Sequence, residues 1–178
     1  SHMIRWIALA SQSDSDVELN FTGIPGQDIE SMAECMRKFG VEIEREANRW
    51  TICGFLGTEG PPKEPMHCGN SATTARIVTS LAASFSSKIE IDGDESLRRR
   101  DSKTLNSALR SLGCDIPSDT MPFSISGPLV PGNAVIDQSK SSQTLTGLLL
   151  SSPGYPEGAC ATLEGDPVSR GYVELTME

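Results

Sequence analysis

A segment that occurs twice is the feature that most constrains the fold of this chain. Residues 28–54 align without a gap on residues 101–127, an offset of 73 residues. In both copies apolar residues recur at helical spacing up to a glycine, Gly40 or Gly113, which is expected to end the helix in the left-handed conformation. An alternating stretch follows, WTICG in the first copy and FSISG in the second. The chain must therefore build repeated units that each combine helices with strands.

Weaker similarities elsewhere, of 141–144 to 70–73 and of 161–166 to 89–94, extend the repeat to three units. Each is predicted to run helix, strand, helix, strand, strand, and a strand ahead of the first helix would complete a β-α-β-α-β-β unit. Asp28 and Asp101 are expected to cap the repeated helices. Stretches rich in Pro and Gly separate the units, which we place at about 4–62, 63–130 and 131–178. This order predicts a mixed α/β (α+β) domain in which helices cover sheets.

The first three residues and the incomplete third unit lead to two expectations about the ends of the chain. Residues 1–3, Ser-His-Met, are interpreted as a cloning remnant outside the single domain 4–178. The third unit reaches only the beginning of its second helix, over 173–178, without the glycine cap or the closing pair of strands. We therefore interpret the chain as a fragment or a truncated form of a longer protein.

Charge and hydropathy exclude several classes of partner. The 178 residues carry 15 Lys and Arg against 24 Asp and Glu, a net charge of −9. Nucleic acid and membrane surfaces are therefore not expected as partners, and an anionic ligand would need local positive charge. No segment has the uninterrupted apolar length of a membrane-spanning helix.

The cysteines and histidines do not form a metal-binding pattern. The five cysteines show no C-x-x-C spacing, and only His2 and His67 could join them, so no metal site is predicted. Reduced thiols in a cytoplasmic protein are the simpler interpretation. His67 is expected to be structural or exposed, and Cys68 to be a small buried residue.

The loop 69–74 is a candidate anion site. Its small residues, GNSATT, precede a helical pattern over 75–82, and the first amides of a helix are free to bind a phosphate or carboxylate. The same Asn, Ser and Thr could serve only as a helix cap. A second cationic element, Arg98 to Arg100, follows the next predicted strand, and the first two arginines are interpreted as a solvated face.

Four motifs in this order resemble those of the 5-enolpyruvylshikimate-3-phosphate synthase family. The string GNSATTAR is similar to the family's Gly-Asn-(Ala/Ser)-Gly-Thr-x-x-Arg loop, and GDESLRRR to its Gly-Asp-x-Ser-Leu-x-(Lys/Arg)-Arg segment. Residues 141–143 match its Ser-Ser-Gln motif, and VSRGY at 168–172 resembles Val-Ser-(Lys/Arg)-Pro-Tyr. Together the motifs cover nearly the whole chain.

The resemblance implies a fold and an activity. Each of the family's two lobes is a threefold assembly of β-α-β-α-β-β units with helices inside and sheets outside, and this chain would be the lobe that binds shikimate 3-phosphate. The complete enzyme moves the carboxyvinyl group of phosphoenolpyruvate to shikimate 3-phosphate and releases phosphate, in aromatic amino-acid biosynthesis. No metal or organic cofactor is implied. The second lobe of the same chain is the implied partner, and this chain alone is expected to be inactive, with no complete catalytic set.

Site residues follow from the resemblance, position by position. The residues implied to bind shikimate 3-phosphate are Ser141, Ser142, Gln143, Ser169, Tyr172 and Arg5. Those implied to bind phosphoenolpyruvate are Ala72, Arg100 and Gln143. Asn70 and Arg76 are expected to shape the loop and the helix behind it.

Departures from the family pattern produce further expectations. Ala72 replaces a glycine, and in the family such an alanine is associated with poor binding of the herbicide glyphosate. Asp101 replaces a proline and could pair with Arg100. Arg5, ahead of a predicted helix over 6–10, is all that remains of a Lys-Ser-x-x-x-Arg motif.

Two alternatives remain open. One is a lobe of a UDP-N-acetylglucosamine enolpyruvyl transferase, against which the Ser-Ser-Gln motif and the absence of an evident catalytic cysteine loop argue. The other is a non-catalytic anion-binding module that kept the fold and lost the chemistry.

Overall fold

The computed structural model describes residues 2–54, 60–155 and 157–177. The first unit consists of α1 (His2–Ala10), β1 (Val17–Asn20), α2 (Gln27–Lys38), β2 (Glu42–Glu46) and β3 (Arg49–Cys53). The second consists of β4 (Met66–His67), α3 (Ala72–Ala82), β5 (Ile89–Asp92), α4 (Glu95–Arg98), α5 (Lys103–Ser111) and β6 (Phe123–Ile125). The third consists of β7 (Asn133–Asp137), α6 (Gln143–Ser151) with a 3₁₀ turn behind it (Ser152–Gly154), β8 (Cys160–Glu164) and α7 (Arg170–Met177).

Each sheet takes its strands from one unit, and the pairing repeats. The strand orders are β1-β3-β2, β4-β5-β6 and β7-β8. Glu42 pairs with Cys53, and the isolated antiparallel bridge between Asp115 and Ser126 lies 73 residues further along in both partners. The predicted two-strand exit of the second unit is therefore reduced to β6 and this single bridge. Strand β1 is antiparallel to β3, as β5 is to β6, so the repeat in sequence is also a repeat in hydrogen bonding.

The ends of the repeated helices follow the prediction, whereas their starts do not. Gly40 and Gly113 have φ angles of 90° and 93°, the left-handed conformation expected of them. Asp28 is not the cap of α2, because the helix already begins at the preceding residue and places this carboxylate in its first turn. Asp101 lies ahead of the residue that caps α5, although its Oδ1 accepts a 3.1 Å hydrogen bond from the Lys103 amide.

The helices form the inside of the domain and the sheets its outer layer, as predicted. Helix α3 is buried along almost its whole length and packs against α6, while α1 packs against α2 and α6. The large side chains that are fully buried come from helices and strands of the first two units and include Ile7, Met32, Phe39, Ile77, Leu81 and Ile91. In the third unit every residue of β8 is exposed and α7 has no buried residue.

The first and last described residues, His2 and Met177, are the ends of α1 and α7. His2 and Met3 lie within α1, whereas Ser1 of the predicted remnant and Glu178 of the predicted last helix lie outside the described residues. Within residues 2–54, 60–155 and 157–177, no helix has the length and apolar character needed to span a membrane. The same residues bring together no group of three or more His, Cys, Asp or Glu that could hold a metal ion.

All five cysteines are free, and their environments predict which of them react. Cys160 is exposed, whereas Cys35, Cys68 and Cys114 are buried. Burial raises the pKa of the Cys114 thiol to about 11, which leaves about one thiolate in a thousand at pH 8. Cys53 is half-buried, and desolvation followed by the charge of a neighbouring aspartate raises its pKa.

A thiol-labelling time course tests this order. At pH 8 we expect a maleimide to modify Cys160 first, Cys53 more slowly and the other three only after denaturant is added, because accessibility and thiolate fraction both limit the rate. Peptide mass spectrometry at each time point identifies the labelled residue, and a Cys160→Ser variant should lose the fast phase. Labelling of Cys114 as fast as that of Cys160 in the folded protein would contradict the described packing.

Candidate functional site

Two neighbouring cavities at the starts of α3, α6 and α7 contain the predicted site residues. The first, which we name pocket A, has a volume of about 270 Å³. Its lining consists of Arg5, Thr73, Lys140, Ser141, Ser142, Gln143, Val168, Ser169 and Tyr172. All six residues predicted to bind shikimate 3-phosphate are therefore on the wall of one cavity, although they come from three separate helices or their flanking turns.

The two serines ahead of α6 have different roles in the helix start. Ser141 Oγ accepts a 3.1 Å hydrogen bond from the amide of Gln143, so this side chain closes the first turn of the helix. Ser142 is the N-cap residue by position, is buried, and makes no capping hydrogen bond through its side chain. The capping alternative thus describes Ser141, while the Ser142 hydroxyl lies on pocket A beside the positive end of the helix dipole.

The start of α7 also forms part of the wall of pocket A, through Ser169 and Tyr172. Ser169 has a φ angle of 56°, a left-handed conformation that is uncommon for a residue with a side chain, and its carbonyl accepts from the Tyr172 amide at 3.0 Å. Such backbone conformations persist where the surrounding structure imposes them. The ring of Tyr172 is about half exposed and forms the outer wall of the pocket.

Arg5 lies inside α1, not ahead of a helix as predicted, because that helix begins at His2. Its guanidinium donates from Nε to Thr176 Oγ1 at 2.9 Å and from Nη2 to the Tyr172 carbonyl at 3.4 Å. Only 6% of the residue is exposed, and this burial lowers the pKa of the guanidinium. The side chain therefore ties α1 to α7 while one side of it lines pocket A.

The second cavity, pocket B, has a volume of about 240 Å³ and adjoins the first. Its lining consists of Ala72, Arg76, Arg100, Asp101, Ser102, Thr104, Leu105, Lys140, Ser141, Gln143 and Thr144. The three residues predicted to bind phosphoenolpyruvate are all included. Gln143 lines both pockets, and its Nε2 donates a 3.4 Å hydrogen bond to Thr73 Oγ1 at the start of α3. This amide side chain therefore lies between the two cavities.

The loop ahead of α3 is capped and tied to the following turn. Ser71 Oγ accepts from the Thr74 amide at 3.3 Å, so the capping alternative holds for this residue. The Gly69 carbonyl accepts from the Asp94 amide at 2.9 Å, which joins the loop to the turn after β5. Asn70 is exposed and lines neither pocket; it borders a larger cavity of about 630 Å³ on the side of α2.

The three arginines of the run are all exposed but differ in their partners. Arg98 donates from Nε and Nη2 to the Asp92 carboxylate at 2.8 and 2.5 Å, and these bonds lower the pKa of Asp92. Arg98 is exposed, as predicted, and in addition the one-turn helix α4 directs it back to the end of β5, where it forms this ion pair. Arg99 pairs with Glu95 at 3.2 Å on the exposed surface, as a solvated residue can.

Arg100 differs from its two neighbours. It is exposed, lines pocket B and, within the described parts of the chain, makes no ion pair. The predicted pairing with Asp101 is wrong, since the Asp101 carboxylate bonds the Lys103 amide and its carbonyl accepts from Arg76 at 2.8 Å. The Arg100 guanidinium is thus available to an anion in pocket B.

Arg76 joins α3 to the start of α5. Its Nη1 donates to Ser102 Oγ at 3.1 Å and its Nη2 to the Asp101 carbonyl, and burial lowers the pKa of its guanidinium. These bonds hold the chain just after Arg100 against α3. The arrangement supports the shaping role predicted for Arg76, although the side chain also borders pocket B.

Sequence reasoning missed several residues that line the two cavities. Lys140 borders both pockets. It directly precedes the Ser-Ser-Gln motif, and this position could have predicted that it lies at the site. Thr73 lies in the predicted anion loop and meets Gln143. Ser102 and Thr104 carry no local signal, because the start of α5 is brought to pocket B by its hydrogen bond with Arg76 of α3.

Known proteins resemble this chain in sequence over nearly its full length. Residues 8–178 match the family model described as EPSP synthase (3-phosphoshikimate 1-carboxyvinyltransferase). A 3-phosphoshikimate 1-carboxyvinyltransferase of Methanothermobacter thermautotrophicus is 33% identical and one of Thermococcus kodakarensis is 31% identical, over 100% and 99% of this chain. The chain spans only 43% and 41% of the length of these two relatives.

Solved structures resemble the fold. An EPSP synthase from Acinetobacter baumannii superposes with a TM-score of 0.75 at 24% identity, over 85% of this chain and 35% of that one. The enolpyruvyl transferase NikO from Streptomyces tendae superposes with a TM-score of 0.65 at 16% identity, over 99% of this chain and 42% of that one. The predicted fold, that of one lobe of an enolpyruvyl transferase, is confirmed by these matches. By its sequence match over residues 8–178, the chain belongs to the EPSP synthase (3-phosphoshikimate 1-carboxyvinyltransferase) family.

Proposed function

We propose that this chain is the shikimate 3-phosphate lobe of a 3-phosphoshikimate 1-carboxyvinyltransferase and carries part of its phosphoenolpyruvate site. The observation that carries the proposal is how the predicted residues are distributed: all those for shikimate 3-phosphate line pocket A, all those for phosphoenolpyruvate line pocket B, and Ser141 and Gln143 line both. The names of the curated relatives support the same activity for the full-length protein.

Pocket A has the chemistry expected of a site for a sugar-like phosphate. The start of α6 supplies a positive helix end, the Ser142 and Ser169 hydroxyls can donate to phosphate oxygens, and Lys140 adds a charge at the rim. Tyr172 offers an aromatic wall for the carbon ring of the substrate. We assign the 3-phosphate of shikimate 3-phosphate to the end of the pocket formed by Ser142 and Ser169.

Pocket B has the chemistry expected of a site for a small dianion. The Arg100 guanidinium can bind two oxygens of one phosphate or carboxylate at once, which a lysine cannot do. The Ala72 methyl group forms part of the wall. We assign phosphoenolpyruvate to this cavity, with the Gln143 amide between it and the attacked hydroxyl of the other substrate.

The reaction needs more groups than these two pockets provide. A proton must be added to the methylene carbon of phosphoenolpyruvate while a substrate hydroxyl gives its proton to a base and its oxygen forms the new C–O bond. The tetrahedral intermediate then loses a proton from its methyl group, the C=C bond re-forms, and phosphate leaves as the bond between the tetrahedral carbon and the bridging phosphate oxygen breaks. The chain's own carboxylate in pocket B, Asp101, is engaged by the Lys103 amide. We assign the general acid and base to the second lobe of the full-length protein and expect no turnover by this chain alone.

Titration of the chain with shikimate 3-phosphate tests the proposal. We expect saturable binding by calorimetry, weakened about tenfold in Ser142→Ala or Gln143→Ala because each loses a hydrogen bond to a charged group. Ser107→Ala, an exposed serine on α5 that lines neither pocket, is the matched control and should bind like the wild type.

Two results would contradict the proposal. Tighter binding of UDP-N-acetylglucosamine would favour the other enolpyruvyl transferase, although no cysteine lines pocket A or pocket B among the described residues. Binding of inorganic phosphate with the same affinity as shikimate 3-phosphate would favour an anion-binding module.

The free thiols support a reducing, cytoplasmic location, which we propose with the function.

A further inference from the structure

We propose that Lys140 is a shared cation that binds the anions of pocket A and pocket B together and so couples their occupancy. The proposal rests on the function proposed above and goes beyond it, because it adds a residue that the family motifs do not include. The observation behind it is that Lys140 is the one lysine among the residues lining either pocket, and it lines both.

The position of Lys140 is fixed by its place in the chain. It is the last residue of the turn between β7 and α6, directly before the two serines that start the helix. Helix α6 is held by its packing on α3, and Lys140, just ahead of this helix, lines both cavities. Its side chain is 70% exposed and can turn toward either pocket.

The Lys140 ammonium is only weakly held by the protein. Its one ion pair within the described residues is with Asp137 Oδ2, at 4.0 Å, the outer limit for such a contact. The Asp137 carboxylate already accepts hydrogen bonds at its other oxygen from the Ser139 amide at 2.9 Å and the Ser139 hydroxyl at 2.5 Å. A bound anion therefore competes with a weak partner for Lys140.

Two of the other cations in the pockets are committed to the fold. The Arg5 guanidinium bonds α7, and the Arg76 guanidinium bonds the start of α5. Arg100 lies in pocket B alone. Two anions in adjoining cavities repel each other, and on a chain of net charge −9 a single mobile cation on the shared wall offsets that repulsion.

The test measures shikimate 3-phosphate binding by calorimetry with and without phosphoenolpyruvate. Lys140→Met keeps the length of the side chain and removes the charge, whereas Lys140→Arg keeps the charge. We expect Lys140→Met to bind shikimate 3-phosphate about tenfold more weakly than the wild type at low salt. This loss of affinity should be larger when phosphoenolpyruvate is present. Lys140→Arg should restore most of the affinity, and added salt should shrink the difference.

The control is Lys88→Met, which makes the same change of net charge at an exposed lysine that lines neither pocket. It should bind like the wild type, and the melting temperatures of all variants should agree. If the wild type binds shikimate 3-phosphate and Lys140→Met binds it equally well under both conditions, the role of Lys140 is overturned and the proposed function stands.

Phosphorus NMR with inorganic phosphate separates the two proposals further. Phosphate binding that needs Lys140, in a chain that shows no preference for shikimate 3-phosphate, would keep Lys140 as an anion-binding residue and overturn the proposed substrate. If the wild type binds neither shikimate 3-phosphate nor phosphate, both proposals are overturned.

Discussion

Substituting alanine for Gly127 or for its repeat partner Gly54 should destabilise the domain severely and by similar amounts. A methyl group on Gly127 would overlap the backbone carbonyl of Ala83 just behind α3, and one on Gly54 would overlap the carbonyl of Ser13 behind α1. The obstacle is backbone in each case, so no side-chain rotation relieves it. We expect a loss of at least about 3 kcal/mol in the free energy of unfolding for either variant.

Hydrogen bonds make the contact at Gly127 especially rigid. The Gly127 amide donates to the Phe85 carbonyl at 2.7 Å, and the Leu129 amide donates to the Ala83 carbonyl at 3.0 Å. The strand end and the helix end are therefore held together on both sides of the glycine. Moving them apart to make room for a methyl group would break at least one of these buried bonds.

Urea denaturation of both variants provides the measurement. Gly26→Ala is the control, because this residue has an ordinary φ angle of −78° and no atom within 4 Å of an added methyl group. We expect the control to change the free energy of unfolding by less than about 1 kcal/mol. A Gly127→Ala variant as stable as the control would mean that the close approach of β6 and α3 is not as described.

This pair of glycines illustrates how far the sequence could predict the fold. The alignment of Gly54 on Gly127 follows from the 73-residue offset alone, and it predicted that the two positions are equivalent. The reason for a glycine there depends on the carbonyl of a helix end far away in the chain, which no local pattern contains. Periodicity identifies the elements of a unit, whereas close approach between elements appears only when they pack.

The candidate site was likewise predicted from sequence only in part. The motifs placed Ser142, Gln143 and Arg100 where two cavities are found, because spacing along each motif fixes the turn that precedes a helix. They could not tell which arginine of the run is free. That depends on α4, whose single turn is started by a 2.8 Å hydrogen bond from the Leu97 amide to Asp94 and turns Arg98 toward Asp92.

Arg5 is the second residue whose role the sequence could not define. Only the last residue of its motif is present, and that motif predicted a contact with substrate but no contact with another part of the chain. In the structure its guanidinium bonds a hydroxyl and a carbonyl of α7, at the other end of the chain. The contact between α1 and α7 forms only when the whole domain packs, and neither local sequence predicts it.

The second large effect is expected for Gly147→Ala, at the contact between α3 and α6. A methyl group on Gly147 would lie 2.8 Å from the Arg76 carbonyl and 2.9 Å from Ser80 Oγ, and Ser80 itself donates to that carbonyl at 2.9 Å. Alanine favours a helix over glycine by about 1 kcal/mol, but overpacking two buried helices costs about 1 to 3 kcal/mol. We expect the overpacking to dominate and the variant to be less stable.

The same substitution should weaken ligand binding, because α3 and α6 carry the two sides of the candidate site. Gln143 lies one turn ahead of Gly147 and bonds Thr73 across the helix contact at 3.4 Å. Arg76, whose carbonyl the methyl group would displace, holds the start of α5 beside pocket B. Separating the helices therefore moves both walls, and calorimetry with shikimate 3-phosphate should report a lower affinity at a temperature where the variant is folded.

Gly171→Ala provides the matched control, since it is also a glycine within a helix. No atom lies within 4 Å of a methyl group at Gly171, so alanine there should be neutral or should stabilise α7 by up to about 1 kcal/mol. Urea denaturation should thus show a loss of stability for Gly147→Ala and no loss for Gly171→Ala. If both variants gain stability, helix propensity alone decides, and the tight packing of α6 on α3 that places Gln143 between the two pockets is ruled out.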